Sequence, residues 1–74
     1  MKRSDFMLTI ISEKQTGHTR LLILNGIPEL KYEKAVSVDG AVYPMITVHG
    51  LKQAVAISCK ESEPSMIGKN VDFM

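Results

Sequence analysis

Six short apolar segments, each of strand length and each ended by residues that turns select, govern what this chain can fold into. They span 6–11, 20–24, 30–38, 41–48, 54–59 and 71–73. Between them stand Thr16-Gly17, Asn25-Gly26-Ile27-Pro28, Asp39-Gly40, His49-Gly50 and Glu63-Pro64, which reverse a chain at low conformational cost. Closely spaced strands with no long helical pattern between them predict an all-β chain. The expected architecture is one β domain over residues 1–74, a five- or six-stranded antiparallel barrel of the SH3-like or OB-like kind.

The clearest local prediction is a hairpin around Asp39-Gly40. Leu30, Tyr32, Val36 and Val38 share one face of the preceding segment, and Lys31, Glu33, Ser37 and Asp39 the other, the alternation of a half-buried strand. Asp-Gly suits a two-residue type I′ turn, whose central residues both need positive φ. That turn would pair Val38 with Ala41, Val36 with Tyr43, Lys34 with Met45 and Tyr32 with Thr47. Lys34 then falls on the apolar face, where its stem can pack while its ammonium reaches the rim.

The same register leaves Val42, Ile46 and Val48 on the opposite face, and these are apolar too. A contiguous apolar surface calls for cover by barrel closure, a neighbouring chain or a partner. Pro44 lacks an N–H and reads as an edge-strand or bulge residue. Val42, Pro44, Ile46 and Val48 are therefore the expected partner-binding residues.

Leu21-Leu22-Ile23-Leu24 reads as a central strand buried on both faces, joined to segment 6–11 through a polar loop over 13–18. Segment 51–60 carries two patterns. Leu51, Ala54, Val55 and Ser58 would share the face of a short helix, whereas Val55, Ile57 and Cys59 alternate as a strand. The β-branched residues and Gly50 favour the strand. Residues 61–70 are polar, contain Pro64 and Gly68, and form a loop before a closing strand that turns Val71 and Phe73 inward.

A chain of 74 residues buries only roughly 60% of its unfolded surface and needs outside support. Cys59 is the single cysteine, so no intrachain disulfide supplies it, and self-association, most simply as a homodimer, is the expected answer. A free thiol fits a reducing cytoplasmic setting, and the apolar run at 6–11 is too short for a secretory core or a membrane span.

Chemistry is harder to place. Cys59 with His18 or His49 is the one conceivable nucleophile and base, and no spacing joins them with an orienting group; in an apolar alternating run, Cys59 reads as a small buried hydrophobe. Two histidines and one cysteine lack the paired spacing of a structural zinc site. The glycines are scattered singly, so no phosphate cradle is expected, and the carboxylates form neither a catalytic pair nor a metal loop. No catalytic residue, metal or cofactor is predicted.

The net charge of +1 gives no basic stripe of the kind that tracks phosphates. The nucleic-acid alternative rests on Lys14, His18 and Arg20 around the first hairpin, without aromatic platforms, because Phe6, Tyr32, Tyr43 and Phe73 all fall on predicted core faces. The leading expectation is a small non-enzymatic protein-interaction module, of the inhibitor or accessory kind, that binds another protein and self-associates.

Overall fold

The strand-and-turn rhythm resolves into six antiparallel strands in a computed structural model, which describes residues 8–28, 33–46, 50 and 52–74. They are β1 Leu8–Thr16, β2 Thr19–Leu24, β3 Ala35–Val38, β4 Ala41–Ile46, β5 Ala54–Ser58 and β6 Asn70–Phe73. The strands close into a barrel in the order β1-β2-β5-β4-β3-β6. Closure removes the free sheet edges that would otherwise template pairing with other chains.

The hairpin around Asp39-Gly40 forms in the expected register. Val38 opposes Ala41 and Val36 opposes Tyr43, and Met45 N donates to the Lys34 carbonyl at 2.9 Å. Asp39 and Gly40 have φ of 53° and 92°, the double positive φ of a type I′ turn. Leu30, Tyr32, Thr47 and Val48 lie outside the described residues. Residues 54–58 form a strand, which settles 51–60 against a helix there.

β1 differs from expectation. The polar stretch 13–16 is not a loop: β1 continues to Thr16, which pairs with Thr19, and the reversal is Gly17-His18 alone. Gly17 has φ of 60° while His18 stays at negative φ, as in a type II′ turn. Polar composition concealed this strand because its inward residues, Glu13 and Gln15, meet a polar partner.

A bulge sets that facing. Ile10 opposes Leu24, but Ser12 opposes Ile23, so Ile11 is the extra residue and the inward parity of β1 switches there. Beyond it Glu13 stands opposite Leu22 and Gln15 opposite Arg20. An unbulged ladder continued from Ile10↔Leu24 would have set Lys14 against Arg20, two like charges on one inner face.

The core is filled by Ile10, Leu22, Leu24, Val36, Val38, Val55, Ile57, Cys59, Met66 and Val71, with Leu8, Tyr43, Met45 and Phe73 packed against it. β2 has a neighbour on each side, as every strand of a closed barrel does, but it is buried on one face only rather than on both. Leu22 and Leu24 are inward and buried, whereas Leu21 and Ile23 point outward and are half-buried. The strand buried on both faces is β5, where Val55, Ala56 and Ile57 are buried in succession. Ala56 achieves this on the outer face because its methyl lies between its cross-strand neighbours Leu21 and Ile46.

β4 is not an edge strand. It pairs with β3 from Ala41 to Pro44 and, among the described residues, with β5 at Met45↔Ile57 and Ile46↔Ala56. Met45 N points to β3, so the nitrogen of Pro44 faces β5, where it has no proton to give. The ladder ends at that point. Pro44 therefore marks a seam inside a closed barrel, where the first half of β4 runs without a β5 partner.

Among the described residues, one long connection crosses an end of this barrel. The antiparallel order puts the Gly17-His18 and Asp39-Gly40 turns, the end of β5 and the start of β6 at one rim, called here the upper rim. Residues 59–69 cross it. At the opposite rim β2 is followed by Asn25, whose Oδ1 accepts from Thr9 N at 3.1 Å.

Candidate functional site

Two regions are set apart by their chemistry: the outer face of β4 with its neighbours, and the strapped upper rim. On the outer face, Val42 is 56% exposed and Ile46 36%, and Pro44 between them is exposed as well. Val48 lies outside the described residues. Cross-strand pairing extends this apolar surface, because Ile46 stands beside Ala56 and Ala56 beside Leu21, while Ile23 stands beside Ala54. A row from β4 through β5 to β2 is thus apolar on the outside, bordered by Lys14 opposite Leu21 and Ser12 opposite Ile23 on β1.

The three basic candidates of the first hairpin do not form one surface. Lys14 and His18 are exposed. Arg20 is 4% exposed and points into the barrel, since period-2 alternation puts it on the face of Leu22 and Leu24. Each of its three nitrogens donates a hydrogen bond: Nε to Gln15 Oε1 at 2.6 Å, Nη1 to the Pro64 carbonyl at 2.8 Å and Nη2 to the Glu63 carbonyl at 2.8 Å. Glu13 Oε1 lies 3.7 Å from Nη1. An arginine held this way is withdrawn from phosphate contact.

This buried arginine organises the upper rim. Glu13 Oε1 also accepts the Met66 amide at 2.9 Å, and Gln15 Nε2 donates to the carbonyls of Gly17 at 2.6 Å and Cys59 at 2.9 Å. Tyr43 Oη donates to Glu63 Oε1 at 3.3 Å. Every buried side-chain polar atom among the described residues is satisfied, as a charge taken out of water requires. In-phase placement of Arg20 with Leu22 and Leu24 was the sequence signal for burial. Its partners carried no such signal, because two come from backbone carbonyls more than forty residues away.

The electrostatics follow from this enclosure. Burial pulls the Glu13 carboxyl upward, but the Met66 amide, the Ser65 hydroxyl and the Arg20 charge outweigh it and leave the group below the usual 4.5. Burial raises the Cys59 thiol, with Arg20 partly opposing and Glu63 and Glu13 adding to the rise. Burial and the adjacent Glu63 raise the Tyr43 phenol. A buried thiol held in its protonated form is a poor nucleophile.

A cavity of about 120 Å³ opens beside the seam, between Ala41 and Tyr43 on β4 and the 63–66 segment. It is well below the roughly 300 Å³ at which small-molecule sites begin. Among the described residues no three His, Cys, Asp or Glu side chains come together as metal ligands would, and no helix is long and apolar enough to cross a membrane. Comparison with protein-family models, curated proteins and solved structures found no match to this chain. Architecture and site define a small closed antiparallel β-barrel with one buried arginine and one apolar outer face.

Proposed function

We propose that this chain is a non-enzymatic protein-interaction module, an accessory or inhibitory factor that works by surface complementarity and self-associates through the outer face of β4. The observation that carries this reading is the apolar row on the outside of a closed barrel, Val42, Pro44 and Ile46 continued by Ala56 and Leu21. Away from the Pro44 seam the backbone of the barrel is engaged in its ladders, so recognition depends on side chains rather than on strand addition. Burying a side chain such as Val42 or Ile46 is worth roughly 1.5–3 kcal/mol. A second copy offering the same row is the simplest partner, because a twofold contact needs only one self-complementary patch. The free thiol of Cys59 fits a reducing, cytoplasmic setting.

Light scattering after size exclusion tests this directly. Wild-type chain is expected to elute as a dimer at micromolar concentration and Ile46→Lys as a folded monomer. A wild-type monomer across that range would overturn self-association. Submicromolar, salt-sensitive binding to oligonucleotides that is lost in a Lys14→Ala, His18→Ala double variant would replace the protein-interaction reading with the nucleic-acid one.

A further inference from the structure

The upper rim is closed by a segment that belongs to no strand. Its ends are fixed in the sheet: Cys59 N donates to the His18 carbonyl at 2.8 Å, while Gly68 N donates to the Ile10 carbonyl at 2.7 Å and Ile10 N to Lys69 at 2.9 Å. Gly68 turns the chain with φ of 90°, a conformation that favours glycine. Between these ends, residues 60–67 have two local backbone hydrogen bonds, Glu63 N to Lys60 O at 3.1 Å and Lys69 N to Met66 O at 3.1 Å. Ser65 Oγ adds an acceptor for Ile67 N.

What holds the segment to the barrel comes from four side chains, one of them Tyr43 on β4, whose Oη donates to Glu63 Oε1 at 3.3 Å. Arg20 donates to the carbonyls of Glu63 and Pro64. Glu13 receives the Met66 amide. Met66 itself inserts into the core, 3% exposed, among the residues that include Cys59, while its neighbours Ser65 and Ile67 are exposed. Attachment is thus concentrated at the Arg20–Glu13 pair, the Tyr43–Glu63 hydrogen bond and one apolar side chain, whereas the strands beneath are tied by ladders of successive pairs.

We propose that residues 60–67 are a strap that opens as a unit while the six-stranded barrel stays closed, with Arg20 and Glu13 as its latch. Local units open at free energies set by their own attachments, and a segment with few ladder bonds lies at the low end. Opening lifts Met66 from the core, uncovers the Cys59 thiol and parts Glu63 from Tyr43 on β4. The strap is therefore the part of the rim that can move without breaking the sheet. Arg20 and Glu13 set how often it does.

Native-state labelling of Cys59 in the full chain, followed against urea alongside hydrogen exchange of the β2 and β5 amides, tests the strap. The expected result is thiol labelling with a shallow urea dependence, faster than the exchange of those ladders permits. Glu13→Gln keeps an acceptor for Met66 N and removes the charge, so labelling is expected to accelerate about tenfold with ladder protection retained. Labelling that shares both the free energy and the urea slope of ladder exchange would show that Cys59 is exposed only by global unfolding, and would overturn the proposal. Because the wild-type slope decides the point, the test stands even where Glu13→Gln destabilises the barrel.

Discussion

Gln15 stands directly opposite Arg20 across the first hairpin, and its Oε1 accepts from Arg20 Nε at 2.6 Å. The extra residue Ile11 makes this pairing possible by shifting β1 one place. A neutral, two-sided amide in that position satisfies the guanidinium on one side and the Gly17 and Cys59 carbonyls on the other. Gln15→Lys restores the like-charge opposition that the bulge avoids. Its expected cost is about 3 kcal/mol or more, read from urea unfolding, and a variant within about 0.5 kcal/mol of wild type would contradict the account.

The Arg20–Glu13 pair is expected to behave as one unit. Glu13→Met leaves a buried guanidinium without its counter-charge, and Arg20→Met leaves a carboxylate that is 19% exposed together with two carbonyls lacking donors. Each single change should cost about 3 kcal/mol, the first more than the second, and the double variant clearly less than their sum. A double-mutant cycle by chemical denaturation measures the coupling. Additive losses would show that the two groups act separately.

Acid should weaken the strap through Glu13. Its carboxyl is held below 4.5 in the folded chain, so the stabilisation is present above that value and is lost as pH falls through the lower, folded one. Above about pH 6 this group contributes almost no slope. The stability of wild type should therefore decline below about pH 4.5 more steeply than that of Glu13→Gln, measured by thermal unfolding across a pH series. Parallel curves would remove Glu13 from the account.

The Asp39-Gly40 turn separates conformation from charge. Asp39 adopts φ of 53° and lies 3.6 Å from Lys69 Nζ in an exposed pair, which is worth about 0–1 kcal/mol at most. Asp39→Asn keeps the turn preference and should change stability by less than about 0.5 kcal/mol. Asp39→Val forces a β-branched residue to positive φ and should cost about 1–2 kcal/mol. Equal losses in both variants, read from the thermal midpoint, would assign the effect to the ion pair instead.

Local chemistry made much of the fold legible in the chain itself. Asp39-Gly40 admits one tight hairpin geometry, so the Val36↔Tyr43 and Val38↔Ala41 pairs follow from residue identity. Alternation likewise placed Val55, Ile57 and Val71 inward. Of the candidate binding face, Val42, Pro44 and Ile46 were readable because their parity is tied to that same turn.

Tertiary structure decided the rest, and for a common reason. Alternation reports parity along one strand, but a bulge resets parity and only pairing reveals it: Ile11 made Glu13 and Gln15 inward and turned an expected loop into the end of β1. Pro44 signals a missing donor, yet whether that means a sheet edge or a seam depends on which strands lie alongside, and closure of β4 between β3 and β5 was fixed by long-range order. Arg20 looked like a surface cation because its acceptors are backbone carbonyls from Glu63 and Pro64. Backbone groups are the same in every residue, so no sequence pattern marks the ones that a buried charge will find.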